Sequence, residues 1–188
     1  MATVGCRHLT AVKWNEETKK YDTSPRTFEV VKSIDITPTT YESKNTYSDA
    51  VREVVTGISS LEVAINTADL TPEDIMFFLG GDKDVSTGVV TFSVTDKPIT
   101  CALMFESLLS DQVNSRYTCI YLCKAQQPKE SFKSKVENGV EYMDKQIVFT
   151  CIANEEGKYK AQVDSTNELA ATAIESWYEY PFGYNPAT

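Results

Sequence analysis

His8 is the only histidine in the sequence, so an imidazole base or zinc ligand would have to be this one residue. A zinc site of the usual types would then need cysteines at close spacing. The chain has five, with no C-x-x-C pair. Cys119 and Cys123 are read as lying on the same face of a strand, four residues apart, too far for a direct bridge. They are better explained as small buried hydrophobes. Glu62 and Glu106 fall on predicted strands, and a sandwich glycosidase could pair such carboxylates. Carboxylates on surface strands are commonplace, so the pair carries little weight. No G-x-S-x-G, P-loop or G-x-G-x-x-G sequence occurs. The aromatic residues are not interleaved with basic ones as a nucleic-acid platform requires. The sequence therefore assigns no catalytic residue, no cofactor-binding residue and no metal ligand, and it does not read as an enzyme.

Bulk properties narrow the field further. At 188 residues the chain is most simply one domain, 1–188, large enough to bury a core without a staple. The net charge of −9 disfavours specific binding to nucleic acid or anionic membrane, both polyanions. It does not exclude passive contact with DNA, and an acidic surface can serve to repel it. No run approaches the ~20 apolar residues of a membrane span, and the start lacks the regions of a signal peptide. An odd, widely spaced cysteine set fits a reducing cytosol.

The elements that would position any function are mostly strands. Strands are read at 3–14, 26–36, 59–66, 88–95, 99–106, 116–124, 145–153 and 158–164, with period-two alternation clear at 26–36, 59–66 and 88–95. The strand at 116–124 is apolar on both faces, as expected at the centre of a packed structure. The polar stretch 128–136 reads as an edge, and Asn138-Gly139 as a hairpin turn. One segment breaks the pattern: L-T-P-E-D-I-M-F-F-L-G-G, residues 70–81. Thr71 is an N-cap and Pro72 sits at the first helical position. Glu73 and Asp74 face the positive end of the dipole. Leu70 and Ile75 are spaced for a hydrophobic staple, and Gly80 or Gly81 supplies the stop. Ser165 and Glu168 are spaced as a capping box before a second, Ala-rich helical turn.

Two stretches look outward. Residues 37–57 are polar and β-prone with almost nothing to bury, which suggests an extended hairpin arm. Tyr41, Tyr47, Asp49 and Arg52 are its candidate contact residues. The aromatic tail, 177–188, is placed to clamp onto the body or onto a partner. The fold class is mostly β: a two-sheet sandwich or barrel with one short flanking helix, about 71–80, and a long arm, about 37–57.

Three segments carry a family resemblance. T-A-D-L-T-P-E-D-I-M-F-F-L-G-G (67–81), G-V-V-T-F-S-V-T-D-K-P-I-T-C-A-L-M-F-E-S (88–107) and R-Y-T-C-I-Y-L-C-K-A (116–125) resemble, in order and spacing, the major tail proteins of long-tailed, non-contractile phages. The resemblance spans about 28–165. It implies a structural virion protein, a tail tube subunit assembled in the host cytoplasm. Six copies would close a ring by continuing their inner sheets around a lumen, and rings would stack into a tube that passes DNA without binding it specifically. The implied partners are the chain itself, the tape measure, the terminator and the initiator or distal tail protein, with no cofactor and no membrane. The loop at about 36–57 would reach the adjacent ring. The alternatives are a terminator or baseplate relative that forms a single ring, and a free-standing β-sandwich binding domain.

Overall fold

The computed structural model describes residues 2–47, 50–128 and 144–184, with the side chains of 45–53 outside that description. Five elements precede the first helix: β1 (Thr3–Asn15), β2 (Lys20–Tyr21), β3 (Arg26–Phe28), β4 (Val31–Tyr47) and β5 (Ala50–Thr67). Helix α1 (Pro72–Leu79) follows, then the short pair β6 (Asp82–Lys83) and β7 (Val90–Thr91). The remaining strands are β8 (Thr100–Leu109), β9 (Ser115–Ala125), β10 (Lys145–Cys151) and β11 (Lys160–Asp164). A 3-10 turn (Glu168–Ala170) leads into α2 (Ala171–Glu175).

Among the described residues nine strands form one antiparallel sheet in the order β2-β1-β8-β9-β10-β5-β4, with β3 also on β1 and β11 also on β9. Only Glu29 and Val30 separate β3 from β4. The chain therefore leaves the edge of β1 and joins the edge of β5 two residues later, which draws the two ends of the sheet together. Two edges that would otherwise lie open are covered by one bent run of chain.

The enclosed face holds the main core. Leu9, Phe28, Leu61, Val63, Ile65, Leu103, Ile120, Ile147 and Phe149 all point into it. Helix α1 seals it with Ile75, Phe77, Phe78 and Leu79, while Leu70 is buried in the same cluster. Phe78 stacks on Phe28 and meets Phe149 edge to face, both at 5.0 Å between ring centroids. The helix is held at its start by reciprocal bonds. Thr71 Oγ1 accepts from the Asp74 N–H at 3.2 Å, and the Thr71 N–H donates to Asp74 Oδ2 at 3.0 Å. Arg26 on β3 reaches Asp74 Oδ1 at 2.5 Å and ties that cap to the sheet.

A second apolar cluster lies on the outer face of β1, β8 and β9. β8 alternates cleanly: Cys101, Leu103 and Phe105 face the main core, while Ala102 and Met104 face outward with Val12, Cys119 and Tyr121. The tail covers this second face. Trp177 is 3% exposed there, and Tyr184 meets Trp14 and Tyr21 edge to face. Tyr121 Oη donates to the Phe182 carbonyl at 2.9 Å, and Asn154 Nδ2 donates to Tyr184 Oη at 3.0 Å. Of the two roles open to the aromatic tail, the described part takes the clamp on the body.

Several expectations need correction. β9 does not keep one face. Leu122 adopts φ 42° beside a register shift against β8, so Cys119 faces the outer cluster and Cys123 the main core. Cys123 is joined instead to Cys151, its register partner on β10 and 28 residues away in sequence. Glu106 is not a surface carboxylate. It is 3% exposed, lying on the outer side of β8 and ion-paired to Arg7 at 2.5 Å. The alternating stretch 88–95 is strand only at Val90–Thr91, because a turn closes early, the Ser93 N–H donating to Asp96 Oδ2 at 2.6 Å. The second helical turn is capped by Asn167, which accepts from the Leu169 N–H, and not by Ser165. The predicted edge after Pro128 and the Asn138-Gly139 turn lie outside the described residues.

Two predictions follow from this packing. Trp177→Ala should destabilise the chain by about 3–5 kcal/mol, whereas exposed Leu169→Ala should stay within about 0.5 kcal/mol; urea unfolding of both variants checks the contrast. The second concerns acid. Burial pushes the Asp74 carboxyl up, but hydrogen bonds from Thr71 and Arg26 outweigh it and hold the group below its usual 3.8. The Arg116 bond likewise lowers Asp164, and bonds from Ser86 bring Asp84 to about 2. Folded-state values below the unfolded ones mean a contribution that is complete above 3.8 and is lost as pH falls through the folded values. The urea midpoint should fall between about pH 5 and about pH 2.5, and Asp74→Asn should make that fall shallower.

Candidate assembly surfaces

The first surface is the hairpin built by β4 and β5. β10 pairs with β5 only from Lys145↔Thr67 to Cys151↔Leu61, and Leu61 in turn faces Pro38. Beyond that rung, 39–47 and 50–60 pair only with each other among the described residues. At ~3.3 Å per residue the hairpin runs on for roughly 30 Å past the body. The sequence favours this form because Thr, Tyr and Val suit a pleated ribbon. Register shifts at Thr39/Thr40 and Asn45/Thr46 bulge the ribbon and increase its twist. Tyr41 lies across its rung partner Gly57, so that a Cβ on Gly57 would stand 2.5 Å from Tyr41 Oη. An aromatic ring thus shields a glycine that has no side chain to pack. Tyr41, Val54, Val55 and Ile58 are all exposed. Both edges of the ribbon present backbone donors and acceptors without a strand partner, a template for another chain.

The second surface is the uncovered half of the sheet's outer face. Among the described residues the tail covers only β1, β8 and the first half of β9. Across the remaining strands the register makes polar rows. Lys124, Thr150, Glu62 and Thr37 stand side by side on β9, β10, β5 and β4. Gln146, Asn66 and Ser33 form another row, with Gln146 donating to Asn66 at 3.0 Å and Asn66 to Ser33 at 2.8 Å. Gln126 donates to Thr150 at 3.1 Å. Among the described residues Asp35 and Glu62 are exposed acids on this face and Lys124 an exposed base, and Asp144 beside the start of β10 is ion-paired to Lys32. Alternation explains the pattern: each polar residue sits between neighbours such as Leu61, Val63 and Ile65, which face the core.

The third surface is the flap between α1 and β8. Gly80 (φ 79°) and Gly81 (φ 132°) form the helix exit. A Cβ on Gly80 would meet the Lys97 carbonyl at 3.0 Å, and one on Gly81 the Thr91 carbonyl at 2.9 Å. Only glycine permits this backbone and this approach. The flap is pressed against the helix end yet leaves Val85, Val89, Phe92 and Val94 exposed.

The residues considered for chemistry do not converge. Glu62 on β5 and Glu106 on β8 are three strands apart, roughly 14 Å at ~4.8 Å per strand, beyond the ~9.5 Å limit for a carboxylate pair. His8 Nδ1 stands 2.8 Å from Glu106 Oε1, but Arg7 takes the same oxygen. Burial pushes the Cys101 and Cys119 thiols up to about 12, so neither supplies a thiolate near neutrality. Of the candidate arm residues, Tyr41 is exposed on the ribbon, whereas Asp49 and the side chains of Tyr47 and Arg52 lie outside the described residues. Leu70, Thr71, Pro72 and Ile75 gather at the start of α1. Sequence reasoning missed the polar rows and the flap. The rows were foreshadowed by Thr, Asn and Gln opposite each core residue.

No helix among the described residues is long and apolar enough to cross a membrane. No curated protein matches the chain at a significant level. The family model for phage tail tube proteins matches residues 21–175, from β2 through α2, and so takes in the arm, the uncovered sheet face and the flap. A mostly β body with open strand edges suits such a structural, non-enzymatic protein, and this chain belongs to the phage tail tube protein family.

Proposed function

We propose that the chain is the repeating subunit of the hollow tube of a long-tailed, non-contractile phage, with six copies closing each ring and rings stacking into a conduit for DNA. The observation that carries this reading is the ribbon 39–60, which has two open edges and little of its own to bury. An isolated two-stranded ribbon is marginal in water, so this one gains most by docking. Its contact set is Tyr41 with Tyr47, Asp49 and Arg52 near the tip, reaching to the neighbouring ring. Subunits would assemble in the host cytoplasm and end in the virion tail, meeting a tape measure inside and an initiator and a terminator at the two ends.

The uncovered polar face suits the bore. Its Thr, Asn and Gln side chains bond to one another across the strands, which leaves few strong donors aimed at a passing phosphate. Glu62 and Asp35 add repulsion over a Debye length of about 8 Å at physiological salt. DNA then slides on a layer of water and counterions, with no specific site for it on the wall.

Deleting residues 41–54 should abolish stacking into tubes while the body keeps its melting temperature, because the core rungs end at Pro38↔Leu61. Sedimentation velocity read alongside a melting curve checks this, and tubes formed by the deleted chain would contradict it. Glu62→Lys should still assemble, but its tubes should retain DNA fragments at low salt and release them as salt rises. Equal passage through wild-type and variant tubes would place Glu62 away from the bore.

A further inference from the structure

We propose that the flap is the seat of a second copy's arm, with the free side of β7 accepting one of the arm's open edges; this rests on the assembly reading above and names the surface the arm meets. The sequence G-V-V-T-F-S-V-T, 88–95, alternates as a strand, yet among the described residues only Val90 and Thr91 have a strand partner, through Lys83 and Asp82. Its apolar side is left to water: Phe92 is exposed, Val94 fully so, and Val85 and Val89 lie exposed on the same flap. These residues account for four of the large hydrophobics exposed on the described surface, concentrated within ten positions. A strand pattern without a strand partner, beside an apolar ridge, is the form of a site for β-strand addition.

The anchoring favours the same conclusion. The Ile99 N–H donates to the Phe78 carbonyl at 2.9 Å, and the Gly80-Gly81 exit holds 91–97 against the helix end, so the ridge is presented on a fixed base. What closes the strand early is local: the Ser93 N–H to Asp96 Oδ2, the Asp96 N–H to the Ser93 carbonyl, and the Thr95 N–H to Ser93 Oγ. A docked strand would replace these turn bonds by ladder bonds through Thr95. The occupant is a second copy because the arm carries what complements the flap, open strand edges and the exposed Val54, Val55, Ile58 and Tyr41.

The test compares Val94→Lys with Val113→Lys, both at exposed valines and so neutral for the fold, together with hydrogen exchange on wild-type subunits and assemblies. V94K should raise the concentration needed for assembly by about tenfold or more and V113K should not, and the amides of 90–95 should exchange about tenfold or more slowly in assemblies than in subunits. Assembly of V94K at the wild-type concentration, or unchanged exchange over 90–95, overturns the proposal. If the arm deletion blocks assembly and V94K does not, the flap assignment fails and the arm reading stands. A wild-type chain that never self-associates defeats both.

Discussion

Backbone hydrogen bonding at strand edges is the constraint on which the rest of this structure depends. A strand must pair on both sides, be covered, or remain available to another chain. In the body the chain solves this internally, since β3 and β4 bring one run of backbone to both ends of the sheet. In the arm it does not, for β4 and β5 continue past the last rung shared with β10. The same two strands therefore close the fold and open it, and the change falls at Pro38 and Leu61. A subunit that ended there would lack the ribbon's two open edges.

Burial on both faces of β8 and β9 determines where the outer surface can be polar. The main core and the tail cluster share these strands, with Leu103 on one side and Met104 on the other. This sandwiching explains why a strand apolar on both faces signals the centre of the protein. It also confines the solvated, Thr- and Gln-rich face to β10, β5 and β4, because the aromatic tail covers the remainder. Stability and surface chemistry are in this way divided across one sheet: the tail side holds the protein together, and the bare side is free to face a solute.

Much of this was legible in the chain itself. The cap Thr71-Pro72-Glu73-Asp74 and the glycine stop determine α1 locally, so α1 could be read from a dozen residues. The arm was legible as a long β-prone stretch with nothing to bury, although its projecting part runs 39–60 where composition suggested about 37–57. What escaped the sequence depends on distant partners. Cys123 and Cys151 meet only because β9 and β10 pair, and the face switch at Leu122 follows from a bulge that no local motif announces. Glu106 looks like a surface carboxylate until Arg7, from almost one hundred positions earlier, arrives beside it. The flap failed as a strand for a related reason, since its alternation is genuine but, among the described residues, only Val90 and Thr91 find a partner.

The central claim is that a tail tube protein of this form is an unfinished surface, completed by copies of itself. Negative-stain microscopy of the purified chain across a concentration series, with sizing alongside, tests it most directly. The account predicts hollow tubes of uniform width that appear above a threshold concentration and coexist with free subunits. A monomer at every concentration would contradict it, and isolated rings that never stack would contradict the role given to the arm.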